Sequence, residues 1–180
     1  PLMEAVRDAQ ERILAEQKAH AYLPIDGLPA YREQTRTLVF GADEDLERVV
    51  TLQTPAGTGA LRLGGELLRL LSADSTVLLP NPSWANHRAV FEASGLAVDT
   101  YAYYDAEARG INFDAMLASL RAAKPGTVCV LHACCHNPTG YDITPEQWDL
   151  VVAAVKERQL VAFLDMAYQG FGYGIAEDGA

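Results

Sequence analysis

Three residues capable of chemistry stand just beyond two apolar runs of strand character. VCVLHACCHNPTG (128–140) leads from valine and leucine into Asn137, and LVAFLDMAYQGF (160–171) leads into Asp165 and Tyr168. In an open α/β sheet, ligands bind just outside the carboxyl ends of the strands, so these three side chains would share one crevice. A carboxylate at the end of a buried strand is costly to desolvate without a cation or a donor beside it. Asp165 therefore demands a partner. Its spacing from Tyr168 suits either a helix cap followed by a core tyrosine, or two groups reaching different edges of one planar ring. A residue that precedes proline is pushed out of helical angles, which holds Asn137 extended ahead of Pro138. The Asn-Pro-Thr-Gly segment reads either as a simple turn or as a mount for that amide.

Two further segments carry similar potential. TLQTPAGTGALR (51–62) runs through Gly57, Thr58 and Gly59 into a helical pattern. Free N–H groups and the helix dipole at such a start favour a phosphate, although a glycine-eased tight turn explains the same residues. The segment lacks both the Gly-Lys-Ser/Thr ending of a nucleotide loop and the GxGxxG pattern. NPSWANH (81–87) follows another apolar run, and offers the flat face of Trp84 and the titratable ring of His87. Each could equally be a core residue. The three cysteines, Cys129, Cys134 and Cys135, lie in or beside one run, which excludes a secreted disulfide framework. Cys134 and Cys135 are adjacent and would face opposite sides of a strand. No second ligand pair accompanies them and the neighbouring histidines, so no zinc site is expected.

The elements that must position these residues follow from periodicity. Residues 1–19 repeat apolar positions at helical spacing behind an initial proline; 22–29 is a loop rich in proline and glycine; 30–39 is a helix ending at Gly41. The chain then alternates, with strands over 49–54, 76–79, 97–101, 127–132 and 160–164. Helices are expected over 59–71, from Trp84 to about Gly95, over 113–122, and over 145–158 behind a Thr144 cap. This is the α/β class, a largely parallel sheet flanked by helices. A hydrophobic content of 49% with 21% charged residues is that of a globular domain. A net charge of -10 argues against nucleic acid or an anionic membrane as a partner. No apolar run is long enough to span a bilayer and no signal peptide opens the chain, so the expected location is cytoplasmic.

Taken together, the motifs resemble the class I pyridoxal-phosphate aminotransferases, and among them the aspartate and aromatic amino-acid enzymes. TPAGTGALR (54–62), NPSWANH (81–87), HACCHNPTG (132–140), DMAYQGF (165–171) and YLPIDGL (22–28) occur in the family's order and cover almost the whole chain. The resemblance implies the large domain of a fold type I enzyme, binding pyridoxal 5'-phosphate. Asp165 would pair with the cofactor's pyridine nitrogen, and Tyr168 and Asn137 would donate to its phenolic oxygen. Asn137 would also touch the substrate carboxylate, and Trp84 would pack beside ring and substrate. His87 would support Asp165 from behind, with His132 near it. Gly57 and Thr58 would cradle the phosphate, and Tyr22 would reach the phosphate of a neighbouring subunit in a homodimer with shared sites. The family also has cis prolines at the positions of Pro82 and Pro138.

The implied reaction moves an amino group between an L-amino acid, aspartate or aromatic, and a 2-oxo acid such as 2-oxoglutarate. It runs by a ping-pong route through the pyridoxamine form. Two departures stand out. Ala56 replaces a serine that touches the phosphate in some members. The family's Schiff-base lysine is absent, because Lys18, Lys124 and Lys156 all lie inside or beside predicted helices and none stands in the lysine motif. Residues 1–180 are therefore expected to be part of a cofactor-binding large domain, without its C-terminal half or the small domain, and inactive alone. The rivals are a lyase or decarboxylase on the same scaffold and a non-catalytic binding domain. YLPIDGL and FGYG (171–174) are closer to the aromatic, broad-specificity members.

Overall fold

The computed structural model describes residues 2–19, 21–41 and 46–179. Four parallel strands form the sheet: β1 (Thr76–Asn81), β2 (Ala97–Ala102), β5 (Val128–His132) and β6 (Val161–Asp165), in the order β2-β1-β5-β6. Chain direction across the sheet reverses between β1 and β5, since β2 lies on one side of β1 and β5 on the other. The carboxyl ends of β1 and β5 thus frame a topological switch point, where a crevice must open.

Alternation along β5 builds two cores. Val128 and Val130 pack with Leu61, Val77, Leu79, Phe91 and Leu96, the core under α3 (Ala56–Leu71) and α4 (Asn86–Ala93). Cys129 and Leu131 face the opposite way, into Tyr101, Met116, Leu120, Val151 and Ala154 under α5 (Phe113–Ala122) and α6 (Pro145–Glu157). Helix starts have local causes. Thr144 and Gln147 form a reciprocal capping box with Pro145 in the first turn of α6, and the Asn112 side chain caps α5. Two glycines inside α3 are explained by contact rather than flexibility. A Cβ on Gly65 would lie 2.6 Å from Ser94 Oγ, and one on Gly64 would lie 2.7 Å from the Phe163 ring. Both let the helix sit close on its neighbours.

Several boundaries differ from the sequence expectation. The first helix, α1, spans Glu4–Glu16 and the second, α2, Pro29–Phe40, closing at Gly41; Pro1 lies outside the described residues. Residues 49–54 form no strand. The Gln53 N–H donates to Asp26 O at 3.1 Å and its side chain accepts from the Leu28 N–H at 2.8 Å, while Val50 and Leu52 are exposed. Those bonds tie the segment to the YLPIDGL loop, whose Gly27 sits at a φ of 96°. A two-residue hairpin, β3 (Tyr104–Asp105) with β4 (Gly110–Ile111), was not foreseen. Cys134 and Cys135 lie beyond β5 instead of facing opposite sides of it. Cys135 takes a left-handed φ of 52°. No helix is long and apolar enough to cross a membrane among the described residues.

Candidate functional site

At the switch point lies a cleft of about 300 Å³, lined by Gly57, Thr58, Leu61, Trp84, His132, Asn137, Asp165, Ala167 and Tyr168. Each side arrives from a different element. Helix α3 begins at Ala56, three residues earlier than its periodicity suggests, which places Gly57 and Thr58 in its first turn. No side chain caps that turn, so its leading N–H groups remain available beside the cleft. A Cβ on Gly57 would meet nothing within 4 Å, so the space beside it is open to a ligand. The chain leaves β1 through a cis Asn81-Pro82 bond into Trp84, and leaves β5 toward a cis Asn137-Pro138 bond. Both cis prolines match the expectation. β6 ends on Asp165, and Tyr168 follows in the loop.

Asp165 has a partner inside the protein. The fully buried His87 holds its Nε2 2.7 Å from Asp165 Oδ2, and its Nδ1 lies 2.7 Å from Ser83 Oγ. An ionised carboxylate only accepts, so Nε2 donates to Asp165, while Nδ1 shares a hydrogen bond with the Ser83 hydroxyl. The hydrogen bond from His87 holds the Asp165 carboxyl below its ordinary value, against the opposing effect of burial. Asp165 is therefore an anion with one side occupied and the cleft on the other. Burial pushes His132 down to about 4 and His136 down to about 3, so both rings are neutral at physiological pH. The rings follow one another: Trp84 to His87 at 5.4 Å, His87 to His132 at 5.3 Å, and His132 to His136 at 4.3 Å.

His87, His132 and Asp165 each offer a possible ligand atom, and these atoms lie within 4.8 Å of one another. Their hydrogen bonds work against a metal. The Asn137 N–H donates to His132 Nδ1 at 3.2 Å, which leaves the proton of that neutral ring on Nε2. Neither nitrogen then presents a free lone pair.

Of the residues singled out in the sequence, Gly57, Thr58, Trp84, His132, Asn137, Asp165 and Tyr168 line one cleft, and His87 stands directly behind it. Tyr22 is not brought to it; its side chain is fully exposed. Lys18, Lys124 and Lys156 are likewise absent from the lining. Sequence reasoning assigned no role to Ser83, although its position four residues before His87 was a signal. Leu61 and Ala167 were also missed. Neither carries a polar group, and no pattern marks them.

A family model described as aminotransferase class I and II matches residues 1–178. The chain belongs to the class I and II aminotransferases. Among individual relatives, the aspartate aminotransferase of Pseudomonas aeruginosa is 46% identical over 183 residues, spanning all of this chain and 46% of that protein. The aromatic-amino-acid aminotransferase of Escherichia coli K12 is 43% identical over 182 residues, covering 99% of this chain and 46% of its own length. A crystal structure of the aromatic-amino-acid aminotransferase of Burkholderia pseudomallei, covalently bound to pyridoxal phosphate, superposes with a TM-score of 0.96 and 51% identity. That match covers 99% of this chain and 45% of the Burkholderia chain. The chain thus spans about half the length of the aminotransferases it matches, and its parallel sheet with flanking helices is the fold of their corresponding part.

Proposed function

We propose that the cleft at the carboxyl ends of β1, β5 and β6 binds pyridoxal 5'-phosphate. In this reading the polypeptide carrying this chain transfers amino groups between an L-amino acid and a 2-oxo acid. The carrying observation is the pairing of a half-buried, ionised Asp165 with an uncapped helix start at Gly57 and Thr58 across one narrow cleft. A flat cation at one end and a phosphate at the other is the ligand such a pair fits. When bound, the cofactor supplies an electron-withdrawing ring on which amino groups are exchanged.

In this reading each residue around the cleft takes a part. Asp165 keeps a proton on the ring nitrogen by offering it a fixed negative charge, and His87, anchored by Ser83, keeps that carboxylate ionised and aimed. Asn137 and Tyr168 donate to the opposite edge of the ring. Trp84 covers its face and excludes water, and Thr58 adds a hydroxyl donor to the backbone cradle for phosphate. Asn137 also meets the substrate carboxylate. Tyr22, exposed on its own subunit, serves the phosphate of a second copy, which makes the assembly a homodimer with shared sites. Aspartate and aromatic amino acids are the substrate classes, in keeping with the names of the relatives, and 2-oxoglutarate is a suitable acceptor. A cytoplasmic location accords with one Arabidopsis thaliana relative, 43% identical and named a cytoplasmic isozyme.

Because no lysine lines the cleft, residues 1–180 should bind the cofactor without a covalent link and without turnover. The test is borohydride reduction of the mixture followed by mass spectrometry of Lys18, Lys124 and Lys156. A stoichiometric adduct on one of them together with amino transfer would defeat this reading.

A further inference from the structure

The loop from Ala133 to Asp142, between β5 and α6, carries Asn137 and commits its backbone donors with little slack. The Ala133 N–H donates to Asp165 O at 2.9 Å, and the Gly140 N–H to His136 O at 2.7 Å. The Asn137 N–H goes to His132 Nδ1 at 3.2 Å, and the Tyr141 N–H to Thr139 Oγ1 at 3.2 Å. Two more donors converge on a single carboxylate. The Cys135 N–H donates to Asp142 Oδ2 at 2.7 Å and the His136 N–H to Asp142 Oδ1 at 2.8 Å. Cys135 sits in the left-handed region at a φ of 52°, which crowds the Cβ of a side-chain-bearing residue against the backbone. Something must hold it there. The ring of Tyr103 stacks on His136 at 4.0 Å and its hydroxyl donates to Tyr141 O at 2.6 Å, which fixes the far side of the loop.

We propose that Asp142 is the positioning residue of Asn137. It grips the two amides immediately before Asn137, one with each oxygen, and so aims that side chain into the cleft from outside it. Only a carboxylate can do this. An asparagine at the same place offers one acceptor and turns an NH₂ group toward the other N–H, and an alanine offers neither. Asp142 does not line the cleft, so its effect on ligand must pass through the loop. This inference rests on the reading of the cleft as a pyridoxal-phosphate site.

The test uses the full chain and its Asp142→Ala, Asp142→Asn, Asn137→Ala and Asp142→Ala/Asn137→Ala variants. Amide hydrogen exchange is followed without ligand, and affinity is measured by titration with pyridoxal phosphate. Loss of two charge-assisted hydrogen bonds should speed exchange over residues 134–141 about tenfold or more in both Asp142 variants. Affinity should fall about three- to tenfold in them, and the double variant should bind no more weakly than Asn137→Ala alone. Asp142→Asn, nearly isosteric, carries the test should the alanine form fail to fold. Unchanged exchange would overturn the clamp itself. Faster exchange with unaltered affinity, while Asn137→Ala binds more weakly, would overturn the positioning role and leave the cleft's reading intact. Additive losses in the double variant would show that Asp142 does not act through Asn137. Unaltered affinity in Asn137→Ala would overturn the reading of the cleft and this inference with it.

Discussion

Replacing Asp165 with asparagine separates what this residue does for the fold from what it does for a ligand. The shape is kept, and the new amide oxygen can still accept the His87 Nε2–H that now lies 2.7 Å from Oδ2. The fold therefore loses only the difference between a charge-assisted and a neutral hydrogen bond, about 1 kcal/mol. A cationic ring nitrogen on the cleft side loses more. There a carboxylate gives way to a neutral amide, at a cost of about 1.5–3 kcal/mol, or roughly 10- to 150-fold in affinity. The Asp165 side chain is 23% exposed, so solvent screening moves the expected loss toward the lower end. Urea denaturation measures the first quantity. Titration with pyridoxal phosphate, read by quenching of Trp84 fluorescence, measures the second. Inorganic phosphate, which needs only the start of α3, serves as the control and should bind both forms equally. The reasoning is refuted if Asp165→Asn binds pyridoxal phosphate as tightly as the parent, or loses inorganic phosphate to the same degree.

Other expectations are open to direct measurement. Ala56→Ser places a hydroxyl at the first turn of α3 and should tighten phosphate binding about three- to tenfold, as a titration would show. Asp178 accepts from the N–H groups of Gly170, Gly172 and Tyr173 at 2.8–2.9 Å, and these bonds hold its carboxyl below the ordinary value. A depressed carboxyl contributes stability above its unfolded pKa of about 3.9 and loses it as pH falls through the folded value. Asp178→Asn should therefore lower the melting temperature at pH 7, and the gap to the parent should close on acidification below about pH 4. Gly65→Ala would bring a methyl within 2.6 Å of Ser94 Oγ and force α3 away from α4. Chemical denaturation should show a loss of about 1–3 kcal/mol despite alanine's better helix propensity.

The alternation of apolar runs made the parallel sheet and its helices legible, most clearly at β5, whose burial on both faces leaves a near-continuous hydrophobic run. Residues 49–54 misled for the same reason. Val49, Val50 and Leu52 read as a strand, yet the segment is held to the YLPIDGL loop through Gln53, and the Val49 N–H turns back to Leu46 O. The hairpin of β3 and β4 is two residues long on each side, too short for a period of two to register. Among the residues of the candidate site, Asp165, Asn137 and Tyr168 were legible from their place at strand ends, and Gly57, Thr58, Trp84 and His87 from similar segments whose structural reading was equally open; the motif resemblance chose between the readings and added a role for His132. Ser83 and Asp142 were not legible as functional, because each works through a hydrogen bond to another residue's ring or backbone. That partnership exists only in the folded chain. The zinc question shows the reverse case. Spacing alone set it aside, while the fold brings His87, His132 and Asp165 together and engages both nitrogens of His87 and Nδ1 of His132 in hydrogen bonds.

The central claim is that pyridoxal phosphate lies between the start of α3 and the end of β6. Amide chemical shifts of the ¹⁵N-labelled chain during titration with pyridoxal phosphate test it most directly. Shifts should concentrate at Gly57, Thr58, Asn137, Asp165 and Tyr168, and need higher concentrations of pyridoxal phosphate to appear in the Asp165→Asn form. A separate cleft of about 380 Å³, lined by Arg32 and Arg36 among others, supplies the natural competitor for a phosphate. Shifts confined to those arginines, with Gly57 and Asp165 unmoved, would contradict the account.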